Sequence, residues 1–341
     1  MIPRIPRLST SRRIRRLLIL IGVNDMKGEK VLITGGLGFI GSTLAHRILR
    51  EGGRVTILDA RIPHLGAHDA NIEDIKDDVE IITGDIRDAA LVRQVLDGKD
   101  IIFSLAAQKS HPMSMRDPYL DIDINCRGIV TVLEEARRAG GNVKRIVFPS
   151  TTTAVDYPID MYSADKLVGE RYHMLYYKNY GLPVSMVRFP NIYGPRALIT
   201  SPNGGVANFF IGLAFQGKPL TVYGEGDEMK NLVYVDDAVD ALARVAASDK
   251  TIGEEPFTVC TDEFFSIREM AGAIVEIFGK GEVAHVEYPK NLVKLKDTPM
   301  SNVRIKETVG WRPTTRFREG LEKTIAYYRD RLDAYLPSPR T

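Results

Sequence analysis

The chain has 341 residues, of which 44% are hydrophobic and 26% are charged, a composition that is typical of a globular protein and excludes a fibrous or low-complexity chain. Its net charge is +2, but the arginines of residues 1–25 supply more than this excess, so the remainder is slightly acidic and no nucleic-acid surface is indicated. The two cysteines, Cys126 and Cys260, are far apart in the sequence and have no second thiol or ligand-like histidine nearby, so neither a disulfide framework nor a zinc site is indicated and a reducing cytoplasm is expected.

Residues 1–25 combine six arginines with a short apolar run at residues 17–23. This run is shorter than a membrane span, and no small-residue cleavage site follows it. We predict a disordered basic extension, with Met26 as an alternative start of the protein. Export through a twin-arginine or secretory leader is the other interpretation.

A glycine-rich turn follows the first predicted strand, residues 30–33. Gly35, Gly38 and Gly41 have G-x-x-G-x-x-G spacing and precede a helical pattern at residues 42–50. Such glycines let the backbone approach a pyrophosphate at a helix N-terminus. The triplet alone is equally compatible with an ordinary turn, but in this strand-turn-helix context it predicts a bound dinucleotide.

The second predicted strand, residues 54–58, is followed by Asp59. A carboxylate roughly 20 residues after the glycines can accept hydrogen bonds from both ribose hydroxyls and would repel a 2′-phosphate, which favours NAD over NADP. Arg61 is a counter-signal, because an arginine at this edge can accommodate the additional phosphate.

Strands and helices continue to alternate along the chain. Further strands are predicted at residues 79–83, 100–105, 145–148 and 184–188, with helices at 89–96, 122–139 and 163–179. This alternation predicts an α/β protein with a Rossmann-type, doubly wound parallel sheet.

Beyond Pro190, glycines and prolines separate shorter elements. Helical periodicity resumes at residues 233–247 and 267–278, so we predict a smaller C-terminal substrate-binding lobe, with the ligand crevice between the lobes. The predicted domains are a dinucleotide-binding domain at 26–190, onto which 231–250 pack, and a substrate-binding lobe at 191–230 and 251–330.

Tyr162 and Lys166 are four residues apart in a predicted helix, which places them on one face. An ammonium and a bound nicotinamide cation would both stabilise a phenolate, so we expect Tyr162 to titrate well below its usual pKa of ~10 and to act as a base. An isolated Tyr-x-x-x-Lys pair is more often structural. After a dinucleotide motif it predicts oxidation of a hydroxyl group.

Hydroxyl side chains follow the predicted strand at residues 145–148. Thr151, with Thr152 as the next choice, is predicted to hydrogen-bond the substrate oxygen near Tyr162. A polar turn that caps a helix is the alternative.

The chain resembles the extended short-chain dehydrogenases/reductases, and within them the NAD-dependent nucleotide-sugar epimerase/dehydratase family, similar to UDP-glucose 4-epimerases. The resemblance covers about residues 27–330. The matching motifs are residues 34–41, Asp59, Asp85-Ile86, Leu105-Ala106-Ala107, Asn125 with Gly128, Tyr162 with Lys166, Arg188-x-x-Asn191-x-Tyr193-Gly194-Pro195, Tyr234-Val235-x-Asp237 and Gly310-Trp311-x-Pro313.

The resemblance implies which residues contact each ligand. Besides the three glycines and Asp59, the implied cofactor contacts are Phe39, Ile40, Asp85, Ile86, Leu105, Ala106, Ala107, Lys109, Asn125, Tyr162, Lys166 and Phe189. The implied substrate contacts are Asn191, Lys230 and Lys294. The family usually has arginines where Lys230 and Lys294 stand, and lysines neutralise a diphosphate without the fork of a guanidinium.

The segment between Thr151 and Tyr162 is about a dozen residues shorter than the family pattern. The family's segment normally lines the substrate pocket, so its shortening implies an enlarged pocket, a changed register of Thr151 or a lost activity. Tyr157 lies in this segment but has no lysine four residues later, and Tyr162 therefore remains the predicted base.

The resemblance implies a UDP-glucose/UDP-galactose 4-epimerase-like activity, through a 4-keto intermediate and transient hydride transfer to bound NAD. A dehydratase of the family carries an Asp-Glu pair after the threonine, where this chain has Thr152-Thr153. The alternatives are a nucleotide-sugar reductase, decarboxylase or dehydratase, or a non-catalytic NAD-binding protein. We predict a cytoplasmic homodimer paired through the helices at residues 125–139 and 163–179, with no metal, membrane or nucleic-acid partner.

Overall fold

Short runs of β-branched and other apolar residues form the strands of the computed structural model. The structure describes residues 26–62, 65–140, 143–155, 159–253, 255–288 and 300–336. The predicted N-terminal extension, residues 1–25, lies outside the described residues. The strands are β1 (Lys30–Thr34), β2 (Arg54–Asp59), β3 (Glu80–Thr83), β4 (Ile101–Ser104), β5 (Arg145–Thr151), β6 (Val184–Phe189), β7 (Asn191–Tyr193), β8 (Leu220–Tyr223), β9 (Met229–Tyr234), β10 (Phe257–Thr258), β11 (Phe264–Ser266) and β12 (Val283–Val286).

Helices alternate with these strands in the first half of the chain and cover the smaller sheets in the second half. A π-helical turn (Asp123–Gly128) joins the fourth helix to the fifth. The helices are α1 (Phe39–Arg50), α2 (Ala89–Leu96), α3 (His111–Arg116), α4 (Pro118–Ile122), α5 (Ile129–Arg138), α6 (Met161–Tyr180), α7 (Val206–Phe215), α8 (Val235–Ala247), α9 (Ile267–Phe278), α10 (Val303–Val309), α11 (Phe317–Arg329) and α12 (Leu332–Tyr335).

The largest sheet has seven parallel strands in the order β10-β6-β5-β4-β1-β2-β3. The chain runs outwards from β1 to β3, returns to β4 and continues towards the other edge. In such sheets ligands bind at the carboxyl ends of the strands, where the direction of winding changes. The doubly wound α/β fold predicted from the sequence is confirmed.

Alternating side chains of β1 face opposite sides of the sheet. Val31 and Ile33 belong to a core with residues of α1 and α8, whereas Leu32 belongs to a core with residues of α2 and α5. Both faces are therefore covered by helices, which explains why β1 is a continuous apolar run instead of an alternating one.

A smaller lobe follows β6. It contains the sheet β11-β9-β7 and the pair β12-β8. Side chains from α7, α9 and α11, among them Phe210, Ile274 and Leu321, form its separate apolar core.

The division between the lobes differs from the sequence-based boundaries at two places. Phe257 and Thr258 in β10 pair with Val187 and Arg188 in β6, so they extend the large sheet although they fall within the range predicted for the smaller lobe. Trp311 is fully buried in the core beneath α8 and donates its indole N–H to the Asp237 carbonyl over 2.9 Å. A two-residue strand carries too little pattern to be assigned from sequence.

Across the part of the chain that the structure describes, no helix is both long enough and apolar enough to cross a bilayer.

Candidate active site

A cavity of about 680 Å³ lies where the carboxyl ends of the large sheet's strands meet the smaller lobe. It brings together residues that the sequence distributes over almost 200 positions. The predicted site residues that line it are Gly35, Gly38, Phe39, Ile40, Gly41, Asp59, Asp85, Ile86, Leu105, Ala106, Ala107, Lys109, Thr151, Thr152, Tyr162, Lys166, Phe189, Asn191 and Lys230.

The glycine-rich turn passes very close to other backbone. Gly35 has φ +70°, and a Cβ there would lie 2.9 Å from the Ala106 backbone. A Cβ on Gly41 would lie 2.4 Å from the carbonyl oxygen of Gly35. Gly38 is the N-cap of α1, with no side-chain cap, so the helix presents backbone N–H groups to the cavity, which is the arrangement that binds a pyrophosphate.

Asp59 is buried at the end of β2, and backbone groups fix both of its oxygens. Oδ1 accepts the Arg61 N–H over 2.9 Å, and Oδ2 accepts the Leu37 N–H over 3.0 Å. Each oxygen retains acceptor capacity, because a carboxylate oxygen has two lone pairs. Both oxygens of Asp59 can therefore accept a further hydrogen bond, as binding of the two ribose hydroxyls requires.

Arg61 is engaged elsewhere. Its Nη1 forms an ion pair with Asp69, and its Nε donates to the Thr83 hydroxyl over 3.1 Å. A guanidinium that already holds a carboxylate is a poor receptor for a 2′-phosphate. The presence of Arg61 is therefore a weaker argument for NADP than the sequence alone indicated.

Tyr162 and Lys166 both occupy the first two turns of α6. The Lys166 Nζ lies 4.2 Å from the ring centroid of Phe148, on β5. Burial against this apolar face lowers the pKa of Lys166 to about 8. The ammonium is therefore less strongly favoured than at a surface site.

The pKa of Tyr162 differs from the sequence-based expectation. Burial raises this pKa, and the charges of Asp121 and Asp160 act in the same direction. The surrounding side chains thus favour the neutral phenol. The expected lowering depends on the positive charge of a bound nicotinamide.

The hydroxyl side chains after β5 form a connected chain. The Thr151 and Thr153 hydroxyl oxygens are 3.0 Å apart, and Ser163 donates its hydroxyl to Thr153 over 3.0 Å. Because Ser163 lies next to Tyr162, these bonds tie the end of β5 to the first turn of α6. Thr151 and Thr152 both line the cavity with Tyr162.

Sequence reasoning missed His111. It begins α3 and lines the cavity, with its ring edge-on to that of Tyr162 at a centroid distance of 5.0 Å and an interplanar angle of 82°. Its Nδ1 pairs with the carboxylate of Asp160. The only sequence signal is its position two residues after Lys109, a predicted cofactor contact.

Asn125 does not line the cavity, in contrast to the prediction. It is fully buried in the π-helical turn, where its amide donates to the Gln108 carbonyl over 2.8 Å and accepts the Gln108 N–H over 3.1 Å. It therefore holds the backbone immediately before Lys109. Asn125 therefore contacts the cavity only through the backbone that carries Lys109.

Two of the three predicted substrate residues lie in the described part of the chain. Asn191 and Lys230 line the cavity, and the Lys230 Nζ lies 3.3 Å from an oxygen of Glu228. Lys230 is therefore partly neutralised by a neighbouring carboxylate that sequence reasoning did not consider. Lys294 and Tyr157 lie outside the described residues.

Two buried carboxyl groups meet where α4 packs against α6. Asp121 and Asp165 are within hydrogen-bonding reach of each other, and each has a buried oxygen without a hydrogen-bond donor in the described part of the chain. Two carboxylates cannot donate to one another, so the pair needs a shared proton. Burial and the neighbouring Asp165 raise the pKa of Asp121 to about 7.

We expect Asp121→Asn to change how stability depends on pH. Between the unfolded pKa near 3.8 and the folded pKa near 7, the folded wild type holds a proton that the unfolded chain has lost, so its free energy of unfolding falls as pH rises. The asparagine variant lacks this decline and still offers an oxygen to Gln108. Its stability relative to wild type should rise by about 2–3 kcal/mol from pH 5 to pH 8.

Urea unfolding at the two pH values measures this difference, with Asp77→Asn at an exposed position as the control. A relative stability of Asp121→Asn that is the same at both pH values would contradict the shared proton.

The chain is similar to known proteins in sequence and in structure. The model of the NAD-dependent epimerase/dehydratase family matches residues 31–260. The UDP-glucose 4-epimerase of Mycolicibacterium smegmatis is 33% identical over 89% of this chain and 99% of its own length. The UDP-N-acetyl-alpha-D-glucosaminuronate decarboxylase of Bacillus cytotoxicus is 30% identical over 89% of this chain and 98% of its own length.

A solved structure shows the same likeness. The UDP-glucose 4-epimerase of Thermus thermophilus in complex with NAD superimposes with a TM-score of 0.77 at 29% identity, covering 88% of this chain and 99% of that one. The similarity therefore extends over both lobes.

Proposed function

This chain belongs to the NAD-dependent epimerase/dehydratase family, and we propose that it inverts C4 of a UDP-sugar, with UDP-glucose and UDP-galactose as the first candidates. It is an enzyme of that family, and its cofactor is NAD. The observation that carries the C4 proposal is the convergence of Tyr162, Lys166 and Thr151 in one cavity with the glycine-rich turn and Asp59.

The described residues fit NAD. The closely packed glycines leave the N-terminus of α1 open for the pyrophosphate, and the oriented carboxylate of Asp59 is suited to the ribose hydroxyls. When bound, NAD supplies the acceptor and then the donor of a hydride at C4 of the sugar.

The chain's own groups would handle the proton and the oxygen. Tyr162 takes the proton of the C4 hydroxyl as the 4-keto sugar forms and returns it after the sugar has turned over. Thr151 hydrogen-bonds the C4 oxygen, and the Lys166 ammonium stabilises the phenolate through its charge. No net redox change results.

The residues after Thr151 support epimerisation over loss of water. Thr152 and Thr153 carry no acid, so this position lacks a group that could protonate a leaving hydroxyl. The second candidate is decarboxylation of a nucleotide uronate, which is supported by the similarity to the Bacillus cytotoxicus enzyme.

The test is incubation of the purified protein, without added NAD, with UDP-glucose, UDP-galactose or UDP-glucuronate, followed by proton NMR. Interconversion of the first two sugars supports the proposal and shows resident cofactor. Conversion of UDP-glucuronate to a UDP-pentose, with loss of the carboxylate as carbon dioxide, would instead favour the decarboxylase. Absence of any reaction would contradict UDP-glucose, UDP-galactose and UDP-glucuronate as substrates.

We also propose a homodimer paired through the helices beside the active site. Apolar side chains on α3, α4 and α6 are strongly exposed, among them Met115, Tyr119 and Leu175. Ile122 and Tyr172 line a shallow groove on the same side of the large sheet as α5. An exposed apolar surface of this kind is typical of an interface.

We expect Leu175→Asp to weaken this dimer at least about a hundredfold, because it would bury an unpaired charge in the interface. The chain mass is 38.0 kDa. Light scattering after size exclusion should show twice this mass for wild type and the mass of a single chain for the variant. Val303→Asp, at an exposed apolar position on α10, is the matched control and should remain dimeric. A wild-type monomer at micromolar concentration would contradict the dimer.

A further inference from the structure

His111 and Asp160 form a pair at the wall of the cavity. Asp160 is the N-cap of α6, and its Oδ1 accepts the Ser163 N–H over 2.9 Å. Its Oδ2 holds Nδ1 of His111. The aspartate is thus anchored by the helix that carries Tyr162, and it fixes the imidazole relative to that helix.

The pairing determines which histidine nitrogen is available. Burial of Asp160 opposes its ionisation, but the hydrogen bond and charge of His111, together with the hydrogen bonds from Ser163, outweigh burial and lower the pKa of Asp160. An ionised carboxylate can only accept, so Nδ1 of His111 carries the hydrogen. Nε2 makes no hydrogen bond within the described residues. In the neutral ring Nε2 therefore has a free lone pair.

His111 and Tyr162 lie side by side at the wall of the cavity. The His111 side chain is 41% exposed, and both His111 and Tyr162 line the cavity with their ring centroids 5.0 Å apart. Each proton transfer spans about 3 Å, and neighbouring sugar carbons are about 1.5 Å apart. A sugar with its C4 oxygen at Tyr162 would bring an adjacent C–H group within reach of His111.

We propose that His111, held by Asp160, is a second acid–base residue that exchanges the proton on a carbon next to the C4 ketone of a 4-keto nucleotide sugar. This inference rests on the proposed function only for the origin of the ketone. It adds an activity at C3 or C5 that inversion at C4 does not require.

The step balances without an additional reactant. Nε2 of His111 takes the proton from the carbon next to the ketone, and the C–H electron pair becomes the carbon–carbon double bond of an enolate. The negative charge resides on the C4 oxygen, where the Tyr162 hydroxyl can donate a hydrogen bond. Return of a proton from Nε2 restores the ketone, with a solvent deuteron wherever the imidazole N–H has exchanged.

The experiment supplies the ketone directly. UDP-4-keto-6-deoxyglucose is incubated in D₂O with the NAD-loaded protein, and deuterium at C3 and C5 is followed by NMR and mass spectrometry against a protein-free control. We expect the wild type to exceed the control, and His111→Gln to lower the enzymatic exchange about a hundredfold. Asp160→Asn, which retains an oxygen for the helix cap, should lower it at least tenfold. NAD content of each variant verifies that it is folded.

The outcomes separate this proposal from the proposed function. Because oxidation is bypassed, exchange can be measured even if UDP-glucose and UDP-galactose are not interconverted. Wild-type exchange no faster than the control would overturn the role of His111 and leave C4 epimerisation intact. Exchange that survives His111→Gln but is lost in Tyr162→Phe would assign the base to Tyr162 and also overturn it.

Discussion

We expect Tyr162→Phe to lower C4 interconversion at least about a thousandfold while NAD remains bound. The substitution removes the oxygen that takes the C4 proton, and general acid–base catalysis contributes about 10²–10⁴ to a rate. A thousandfold loss corresponds to about 4 kcal/mol of transition-state stabilisation. Phenylalanine keeps the ring that meets His111 edge-on, so the effect should appear in kcat with little change in the melting temperature.

The matched control is Tyr172→Phe. Tyr172 lies on the same helix but lines the shallow groove beside α5 instead of the cavity. It should retain wild-type interconversion and NAD content. Tyr162→Phe with more than a tenth of wild-type kcat would contradict the assignment of Tyr162 as the base.

Local patterns were enough to predict residues that line the candidate cofactor side of the cavity. Gly35, Gly41 and Asp59 belong to one strand-turn-helix-strand unit, where spacing along the sequence determines position in space. Tyr162 and Lys166 are likewise one helical turn apart. The relative positions of residues within such a local unit do not depend on how distant segments of the chain pack.

Contacts between distant segments were not predictable in this way. His111 reaches Asp160 across 49 positions, and Asp121 meets Asp165 only because α4 packs against α6. No periodicity marks such pairs, since each residue alone resembles an ordinary polar side chain. The π-helical turn also placed Asn125 against Gln108 instead of the cavity, and an expectation of regular helix at residues 122–139 could not anticipate this.

The pKa of Tyr162 shows a second limit of sequence reasoning. The Tyr-x-x-x-Lys spacing places two side chains one turn apart on a helix, but the sequence does not reveal that the charges of Asp121 and Asp160 act on the phenol. Sequence spacing gives partners on one helix, whereas the field at a buried group is the sum over all elements around it. A lowering of the Tyr162 pKa therefore requires the positive charge of a bound cofactor.

We expect Gly41→Ala to reduce retention of NAD at least about a hundredfold. Its Cβ would lie 2.4 Å from the Gly35 carbonyl oxygen and 2.8 Å from the Gly36 Cα, and backbone atoms cannot move aside as a flexible side chain can. The turn must then separate from α1, which removes the N–H groups that hold the pyrophosphate. Bound NAD, released by denaturation and measured by chromatography, reports the loss directly.

A graded series makes this expectation specific to the turn. Gly38→Ala would place its Cβ 3.2 Å from the same oxygen and should retain more NAD than Gly41→Ala but less than wild type. Gly272→Ala, in α9 with no atom within 4 Å of the added Cβ, should retain all NAD and gain about 1 kcal/mol of stability. If Gly41→Ala does not fold, the comparison of Gly38→Ala with Gly272→Ala and wild type still tests whether crowding in the turn lowers NAD content. Equal NAD content in the Gly38 and Gly272 variants and in wild type would show that close packing of this turn does not govern cofactor binding.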